Sequence, residues 1–386
     1  MSSRNQSVRN IVILFGSTLS VMAGASIAPA LSAMKLHFAD VPNADILVKV
    51  LISVPSLFLA MFSPLAGLLM DKFGRKNVLS VSILLFALSG FSGFFLDDLY
   101  LILAGRVLLG VAVAGTMTGF IALIGDLFHD DQLNRFMGIQ ASVMSFGGVL
   151  YLMMSGVLAD INWNYPFLIY LLALICLLFF HLYISETKSF SFDDKTADNI
   201  ESAKFKFDLK LLWVLILGFI SMSLYLMIPI QLPFFLNSIK PVSNSMIGIF
   251  MSSWIFSSAT SSLFYKKLRS KLPYNSIFSI GFGIWAIGYL IMFYAGNLTF
   301  ILPGLILAGV GNGLVFPNLK VLLLNISFPA FRGRAAGYLT MSLYLGQFFS
   351  PLIMEPIIKL HSISYIFLIF GLLLFLLSLI FLRKKI

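Results

Sequence analysis

Residues 67–76 read Gly-Leu-Leu-Met-Asp-Lys-Phe-Gly-Arg-Lys and separate two long apolar runs of the chain. Gly67 would let two helices approach closely, because it has no side chain to hold them apart. Gly74 permits a tight reversal of the backbone. Asp71 ends the first apolar run, where it could pair with Arg75 or with a neighbouring helix terminus. The stretch therefore predicts a short basic connection between two helices.

The composition of the whole chain indicates that lipid, and not water, covers most of its surface. Hydrophobic residues make up 59% of the 386 positions and charged residues only 11%, whereas a soluble domain carries roughly 25% charged residues. One helix that crosses a bilayer needs about 20 residues. About twelve such helices with short connections account for the whole length.

Apolar runs separated by short polar clusters predict twelve membrane spans. They are 9–33, 46–70, 77–96, 99–126, 137–160, 165–185, 210–236, 244–265, 274–295, 299–326, 335–359 and 363–382. Runs of this length predict helices, because a helix satisfies its own backbone hydrogen bonds in lipid. A membrane-barrel strand is about ten residues long and alternates in polarity. The predicted fold class is an all-α membrane protein with twelve transmembrane helices.

The distribution of basic residues predicts the orientation of the chain in the membrane. With the N-terminus in the cytoplasm, the cytoplasmic segments hold twenty of the 26 Lys and Arg residues. The outer segments and helix ends hold Lys35, Lys49, Lys240 and Lys359. This bias places both termini inside. The net charge of +10 is therefore a topology signal and does not indicate nucleic acid binding.

The polar stretch 186–208 divides the chain into two halves, 1–185 and 209–386, and predicts a cytoplasmic linker between two six-helix bundles. Short loops and many Lys, Phe and Ile residues are typical of a bacterial inner-membrane protein. The sequence has no phosphate-binding loop and no cluster of His and Cys. We therefore expect no cofactor and no metal. Residues 129–131 read His-Asp-Asp, which are residue types that can act in catalysis. Their place in a short polar connection predicts a solvated turn and not an enzyme site.

An internal repeat relates the two halves at a shift of 199 residues. The repeated positions are Arg135, Gly138 and Gly147, which recur as Arg334, Gly337 and Gly346, and Gly105 and Gly110, which recur as Gly304 and Gly309. The repeat predicts a duplicated unit of six helices. Parallel halves of this kind place a substrate site near the bilayer midplane, between them.

The stretch 67–76 resembles the G-x-x-x-D-R/K-x-G-R-K/R loop of the major facilitator superfamily, at the position where that family has it. The resemblance implies two pseudo-symmetric six-helix bundles, a small-molecule substrate, transport by alternating access, and a monomer. In this family the loop is thought to latch the outward-facing state through an acid at the cytoplasmic end of the fourth span, which Asp126 matches. The implied latch residues are Gly67, Asp71, Gly74, Arg75, Lys76 and Asp126.

The fourth span also resembles the drug:proton antiporter branch of this family. Residues 106–110 read Arg-Val-Leu-Leu-Gly, like the R-x-x-x-G motif of that branch. An arginine inside a membrane is costly and is a candidate functional residue, here for proton coupling. The alternative is a structural arginine that donates to carbonyl groups of a neighbouring helix.

The fifth span departs from the antiporter pattern. Gly147 and Gly156 of its G-x-x-x-G-P-x-x-G-G motif are present, but Tyr151 and Leu152 replace the central Gly and the Pro. This departure weakens the assignment to the antiporter branch and leaves the predicted fold unchanged.

Few charged residues inside the spans are candidates for coupling. Asp160 and Glu355 lie near the outer ends of the fifth and eleventh spans. Glu355 precedes Pro356, where a kink could turn it toward a cavity, so it is either a proton carrier or a solvated acid at a helix end. The intramembrane cations Arg106 and Lys320 favour a neutral, zwitterionic or anionic substrate, although Lys320 could also extend to the lipid surface.

Spans one, four, seven and ten line the cavity in the superfamily, so the resemblance also names candidate contacts for substrate. Polarizable and hydrogen-bonding side chains suit this role, although packing is the alternative for each. The candidates are Met22, Met117, Tyr225, Gln231 and Asn312, with Tyr151, Tyr344 and Gln347 from spans five and eleven.

The sequence thus predicts a proton-coupled exporter of small amphipathic molecules in the lipid bilayer. Two alternatives keep the same fold: export of an endogenous anionic metabolite such as a carboxylate siderophore, or uptake of a solute. The lack of an acid at mid-depth favours these alternatives, because exporters of organic cations usually keep one there.

Overall fold

A computed structural model describes residues 3–128, 130–184, 209–327 and 332–383, which form helices and short connections without any strand. The predicted linker 186–208 and the side chains of residues 129–131 lie outside the described residues.

All twelve predicted spans are confirmed as helices. The first half contains α1 (Asn5–His37), α2 (Ala44–Phe73), α3 (Arg75–Phe91), α4 (Leu99–Leu127), α5 (Asp130–Ile161) and α6 (Tyr165–Tyr183). The second half contains α7 (Leu209–Ile239), α8 (Asn244–Leu263), α9 (Tyr274–Tyr294), α10 (Leu298–Ile326), α11 (Arg332–Leu360) and α12 (Ser364–Arg383). The predicted bounds hold to within a few residues, except that α5 begins at Asp130 and not at 137.

Within the described residues, eleven of these helices are long and apolar enough to cross a membrane by length and composition. The remaining helix is α11, which begins with two arginines and carries Glu355 and Lys359 near its other end. It packs against α2 of the first bundle and against α7 of the second. Its polar residues face protein for part of its length, so it needs less apolar surface than a helix that faces lipid.

The internal repeat is visible in how the helices begin. The carboxylate of Asp98 caps α4 by accepting from the backbone N–H groups of Tyr100 and Leu101, at 2.8 and 2.9 Å. The side chain of Asn297, 199 residues later, caps α10 by accepting from the N–H of Thr299 at 3.1 Å. Such caps satisfy N–H groups that have no partner within the helix.

Helix packing repeats at the same shift. A Cβ atom added to Gly110 of α4 would lie 2.5 Å from the carbonyl oxygen of Pro55 in α2. A Cβ atom added to Gly309 of α10 would lie 2.5 Å from the carbonyl oxygen of Trp254 in α8. Each glycine therefore allows the fourth helix of its half to touch the backbone of the second.

The two bundles touch at one end of the molecule and diverge at the other. We call the end with Lys72, Arg75, Lys76, Lys266, Lys267 and Arg269 the basic end, and the opposite one the far end. At the far end α5 and α8 touch so closely that a Cβ atom on Gly156 would lie 2.6 Å from the carbonyl oxygen of Asn244. Toward the basic end a Cβ atom on Gly138 would meet nothing within 4 Å, and a crevice of about 290 Å³ separates α5 from α8.

The sequence predicted that a second helix lies close to Gly67, but among the described residues no helix does so in this structure. A Cβ atom added to Gly67 in α2, or to Gly337 in α11, would meet nothing within 4 Å. Both glycines lie toward the basic end, where the bundles diverge. The structure is therefore closed at the far end and open toward the basic end.

Candidate functional site

A cavity of about 270 Å³ lies at mid-depth between the two bundles. Helices α1, α2, α4 and α5 of the first bundle and α7, α8 and α11 of the second contribute to its wall. Helix α10, which the family resemblance places at the cavity, contributes none of the described residues that form this wall. Both halves of the repeat thus enclose one shared cavity.

The wall of the cavity, as far as the described residues form it, carries no Asp, Glu, Lys or Arg side chain. It contains four methionines on four different helices, Met117, Met144, Met222 and Met251. Aromatic rings stand beside them, with the Tyr225 and Trp254 centroids 4.5 Å apart. Thioether and aromatic groups adapt to apolar ligands of varied shape. The cavity is therefore suited to an apolar body with few hydrogen-bonding groups.

Two residues of the wall carry a buried polar atom. The indole N–H of Trp254 and the hydroxyl of Ser56 are buried, and no hydrogen-bond partner for either lies within the described part of the chain. A buried donor without a partner is costly.

Four of the predicted contact residues lie on the cavity wall: Met117, Tyr225, Tyr344 and Gln347. The hydroxyl of Tyr344 in α11 donates to the sulfur of Met117 in α4 at 3.0 Å. This contact joins the two bundles on the basic side of the cavity.

The other four lie within the packing and not on the wall. Met22 and Gln231 are fully buried, Tyr151 hydrogen-bonds Thr18 at 2.7 Å, and Asn312 accepts from Ser258 at 2.5 Å. Met22, Tyr151 and Gln231 lie on helices that do contribute to the wall, but the sequence could not give the face, because the helices are apolar on all sides; Asn312 lies on α10, which contributes no described wall residue.

Arg106 lies behind the cavity wall and is 1% exposed. Its Nη1 donates to the hydroxyl of Tyr170 at 2.6 Å and to the carbonyl of Ala23 at 3.3 Å, and its guanidinium stands 5.2 Å from the Phe167 ring centroid. The Tyr170 hydroxyl donates to the same Ala23 carbonyl at 2.8 Å. Ala23 lines the cavity, so Arg106 fixes α1 from behind. These contacts fit the structural alternative, whereas Nη2 of the same guanidinium has no hydrogen-bond partner among the described residues.

The loop 67–76 forms its main contacts inside the first bundle. Gly74 has φ 84° and ψ 149°, which an L-residue rarely adopts. Arg75 forms an ion pair with Asp126 at the end of α4 and donates to the Ala122 carbonyl at 3.3 Å. The pairing of Arg75 with Asp71 considered from the sequence is therefore absent from the described residues. Arg75 reaches the end of α4, whereas Asp71 is exposed.

Lys76, the last residue of this loop, donates to the carbonyl of His181 in α6 at 3.4 Å. The loop at the start of α3 thus contacts both α4 and α6. Its contacts with Asp126 and His181 stabilise the packing of these helices at the basic end of the first bundle.

A buried ion pair joins the two bundles at the far end. Lys49 of α2 donates to Glu355 of α11 at 2.6 Å, and the two residues are 4% and 6% exposed. The Lys49 ammonium also lies 5.1 Å from the Phe234 ring centroid of α7. The alternative of a solvated Glu355 is thus wrong, and Lys49, which lies near the outer end of α2 as predicted, is buried there. The sequence signal for a buried Lys49 was its position as the fourth residue of a predicted span.

Asp160, which lies near the outer end of α5 as Glu355 does near that of α11, also joins the bundles at the far end. It accepts from the backbone N–H groups of Asn244 and Ser245 at 2.6 and 3.0 Å, and from the Ser245 hydroxyl. An acid at the N-terminus of α8 is favourable, since the helix dipole is positive there. Unlike Glu355, Asp160 is exposed.

In the described ranges no three His, Cys, Asp or Glu side chains lie close enough to hold an ion. Cys176 is buried in α6.

Comparison with known proteins decides the family. The profile of the Major Facilitator Superfamily matches residues 13–243 and 215–385, which is nearly the whole chain. The chain belongs to the major facilitator superfamily. It is therefore a multi-pass membrane transporter and not an enzyme.

Relatives of this transporter include named exporters and resistance proteins. It is 25% identical to the class H tetracycline resistance protein of Pasteurella multocida, over 92% of this chain and 90% of that protein. It is 32% identical to the bacillibactin exporter of Bacillus subtilis over 42% of this chain. That alignment spans only 41% of the exporter, and the match to a quinolone resistance protein of Staphylococcus aureus, at 22% identity, spans 41% of this chain and 40% of that protein.

Solved transporters share the fold of this one. The nucleoside transporter NupG superposes with a TM-score of 0.77 at 15% identity, over 97% of this chain and 99% of that one. A D-xylose–proton symporter superposes with a TM-score of 0.78 at 16% identity, over 97% of both chains. At these identities the similarity shows the fold alone.

Proposed function

We propose that this transporter exports small amphipathic molecules across the bacterial cytoplasmic membrane in exchange for protons, by alternating access. The observation that carries the proposal is the uncharged cavity of methionine and aromatic side chains at mid-depth between the two bundles. Such a wall accepts apolar bodies of several shapes, because thioethers and rings adapt to their ligand.

The orientation follows from the basic residues. Cytoplasmic loops of membrane proteins carry an excess of Lys and Arg, so we assign the basic end to the cytoplasm. The structure is then the inward-facing state, closed at the far end and open to the side from which an exporter takes its substrate.

Relatives support export as the direction. The tetracycline resistance protein aligns with nearly the whole chain, and the bacillibactin exporter and the quinolone resistance protein align with two fifths of it. The resemblance of residues 106–110 to the antiporter motif supports protons as the coupling ion. The proposed coupling residues are Arg106 and Glu355, and the proposed latch comprises Gly67, Asp71, Gly74, Arg75, Lys76 and Asp126.

The proposal is tested by proton release in inside-out vesicles energised by respiration. A pH-sensitive dye reports the internal pH while a cationic, a neutral and a carboxylate-bearing amphipath are added in turn. Exchange of the added compound for internal protons makes the vesicle interior less acid. The variant Met222→Trp fills the cavity, whereas Ile216→Trp places the same ring on the exposed side of α7, where residue 216 is 41% exposed.

We expect a response to the neutral amphipath that Ile216→Trp retains and Met222→Trp loses. No response to any of the three compounds, from vesicles that contain folded protein, would refute proton-coupled export of amphipaths. An equal response from Met222→Trp would move the substrate site out of the central cavity.

A second candidate function, export of an anionic metabolite, is favoured by Lys320. Phe316 of α10 packs on Tyr225 of the cavity wall, with centroids 5.3 Å apart. Lys320 lies one turn closer to the basic end and is exposed. A cation in this position would attract anions toward the cavity. Under this alternative Lys320→Gln slows transport of the carboxylate compound and leaves that of the neutral compound unchanged.

A further inference from the structure

A second cavity, of about 410 Å³, lies between α2 and α3 on the exposed flank of the first bundle. Both helices pack along α4 but make few contacts with each other, so a groove remains between them. The exposed side chains of Leu65, Leu69 and Val81 form its rims. The buried Ala112 and Gly115 of α4 form its floor. We call this cavity the α2–α3 groove.

The internal repeat shows what fills the equivalent place in the second bundle. At the shift of 199 residues, Val78 and Gly115 of the groove correspond to Ile277 of α9 and Leu314 of α10. Ile277 and Leu314 are buried in one cluster with Tyr265, which lies between α8 and α9. The second bundle therefore fills this place with its own side chains. The first bundle leaves it open to an apolar group from outside the chain.

The groove runs from the basic end toward mid-depth of the membrane. Along α3 it is lined by residues from Asn77 to Leu85, which is about 12 Å of helix. The hydrocarbon core of a bilayer is about 30 Å thick, so the groove covers most of one leaflet. An acyl chain of the leaflet at the basic end therefore has the length and the polarity to fill it.

Positive charge lies at the basic end of the groove. The exposed Lys72 has its ammonium 5.3 Å from the ring centroid of Phe73, which lines the groove. Lys76 lies at the start of α3, and Asp71 is the acid beside them. The arginine of this loop is already in an ion pair with α4, so two ammonium groups face one carboxylate. Basic groups just cytoplasmic of a membrane span attract anionic lipid headgroups.

We propose that the α2–α3 groove binds an anionic glycerophospholipid of the leaflet at the basic end. One acyl chain lies on α4 between α2 and α3, and the phosphate lies at Lys72. Lys76 is held nearby by its hydrogen bond to the His181 carbonyl. The lipid completes in the first bundle the packing that Leu314 and its neighbours complete in the second. This inference goes beyond the proposed function and does not depend on which compound is transported.

The repeat itself supplies a variant that fills the groove. A Cβ atom added to Gly115 would collide with the Ser82 hydroxyl. In the second bundle a glycine takes the place of that serine, since Gly281 lies opposite Leu314, with 3.5 Å between its added Cβ and that of the leucine. The double variant Ser82→Gly/Gly115→Leu therefore transfers the filled arrangement into the first bundle.

Further variants test the groove and the headgroup contact separately. Val81→Trp fills the groove from its rim, and Leu84→Trp places the same ring at an exposed position of α3 outside it. Lys72→Gln removes the proposed phosphate contact. Its control is Lys267→Gln, because Lys267 corresponds to Lys72 at the shift of 195 residues that aligns the two loops. Lys267 is also exposed, but it lies beside the filled place of the second bundle.

Native mass spectrometry of the detergent-purified full chain counts bound lipids as phosphatidylglycerol, or phosphatidylcholine with the same acyl chains, is added. We expect the wild type, Leu84→Trp and Lys267→Gln to bind one phosphatidylglycerol about tenfold more tightly than phosphatidylcholine. Lys72→Gln should weaken phosphatidylglycerol binding about fivefold. Both groove-filling variants should lose this lipid. Phosphatidylglycerol should also raise the unfolding midpoint of those proteins alone that bind it.

Three results would overturn the site. The first is a wild type that binds phosphatidylglycerol no more tightly than phosphatidylcholine. The second is equal weakening by Lys72→Gln and Lys267→Gln, or unchanged phosphatidylglycerol binding by the groove-filling variants. The third is loss of the neutral amphipath, and not of phosphatidylglycerol, from those variants, which would assign the groove to the transported compound. If the double variant does not fold, Val81→Trp decides, because it leaves the packed floor unchanged.

Discussion

The hydroxyl of Tyr344 in α11 donates a hydrogen bond to the sulfur of Met117 in α4, 3.0 Å away. Both residues line the central cavity, and their contact crosses between the bundles on its basic side. The contact thus joins the two bundles between the cavity and the side from which we propose that substrate arrives.

Tyr344→Phe should tighten the apparent binding of a neutral fluorescent amphipath by about two- to tenfold. One hydrogen bond contributes roughly 0.5–1.5 kcal/mol, and its loss favours the state that is open on the basic side. Fluorescence titration of purified protein in nanodiscs measures the binding. Tyr365→Phe, at an exposed position of α12, should bind like wild type. Weaker binding by Tyr344→Phe would indicate that the hydroxyl contacts the ligand instead.

Gly110→Ala should lower the free energy of unfolding by about 1–3 kcal/mol, the usual cost of an added group in a tight core. The new Cβ would lie 2.5 Å from the Pro55 carbonyl oxygen, so α2 and α4 must separate. Gly125→Ala, in the same helix, meets nothing within 4 Å and should leave stability unchanged or raise it. Thermal unfolding in detergent compares the two. Equal midpoints would show that α4 can shift without cost.

Tyr170→Phe should destabilise the protein by about 1–3 kcal/mol, the cost of leaving buried groups without a partner. The hydroxyl accepts from Arg106 and donates to the Ala23 carbonyl, and both bonds are buried. Tyr165→Phe changes a tyrosine at the start of the same segment and is the control. A Tyr170→Phe variant as stable as this control would mean that water replaces the hydroxyl.

Gly74→Ala should cost about 1–3 kcal/mol of stability, because φ 84° and ψ 149° suit only glycine. The strain would displace Arg75 from Asp126, so transport should also slow. Gly67→Ala provides the comparison for stability within the same loop motif, since its Cβ has open space. Unfolding midpoints are measured for both variants, and initial transport rates for Gly74→Ala and wild type. Similar unfolding midpoints for the two variants would show that the loop tolerates another backbone conformation.

Much of the architecture follows from patterns that are visible along the sequence. Runs of apolar residues predicted all twelve helices, and the 199-residue repeat predicted glycines that have equivalent packing, as at Gly110 and Gly309. The motif at 67–76 indicated the family that the profile later matched. These features depend on local composition or on spacing along the chain, so one sequence is enough to find them.

The candidate site was predictable only in part, for a physical reason. Helix α7 is apolar all round, so periodicity could not distinguish Tyr225, which lines the cavity, from Gln231, which is buried in the packing. A soluble helix shows its buried face by its polar side, whereas lipid removes that contrast.

The sequence by itself determined that the chain crosses a membrane, where its helices lie, and that its two halves share a repeat. Hydrophobicity and spacing carry this information locally, because each helix satisfies its own backbone in lipid. Only the tertiary structure decided that Lys49 meets Glu355 and that Arg106 meets Tyr170. Such pairs depend on how distant helices rotate and pack, and no pattern along the chain records that rotation.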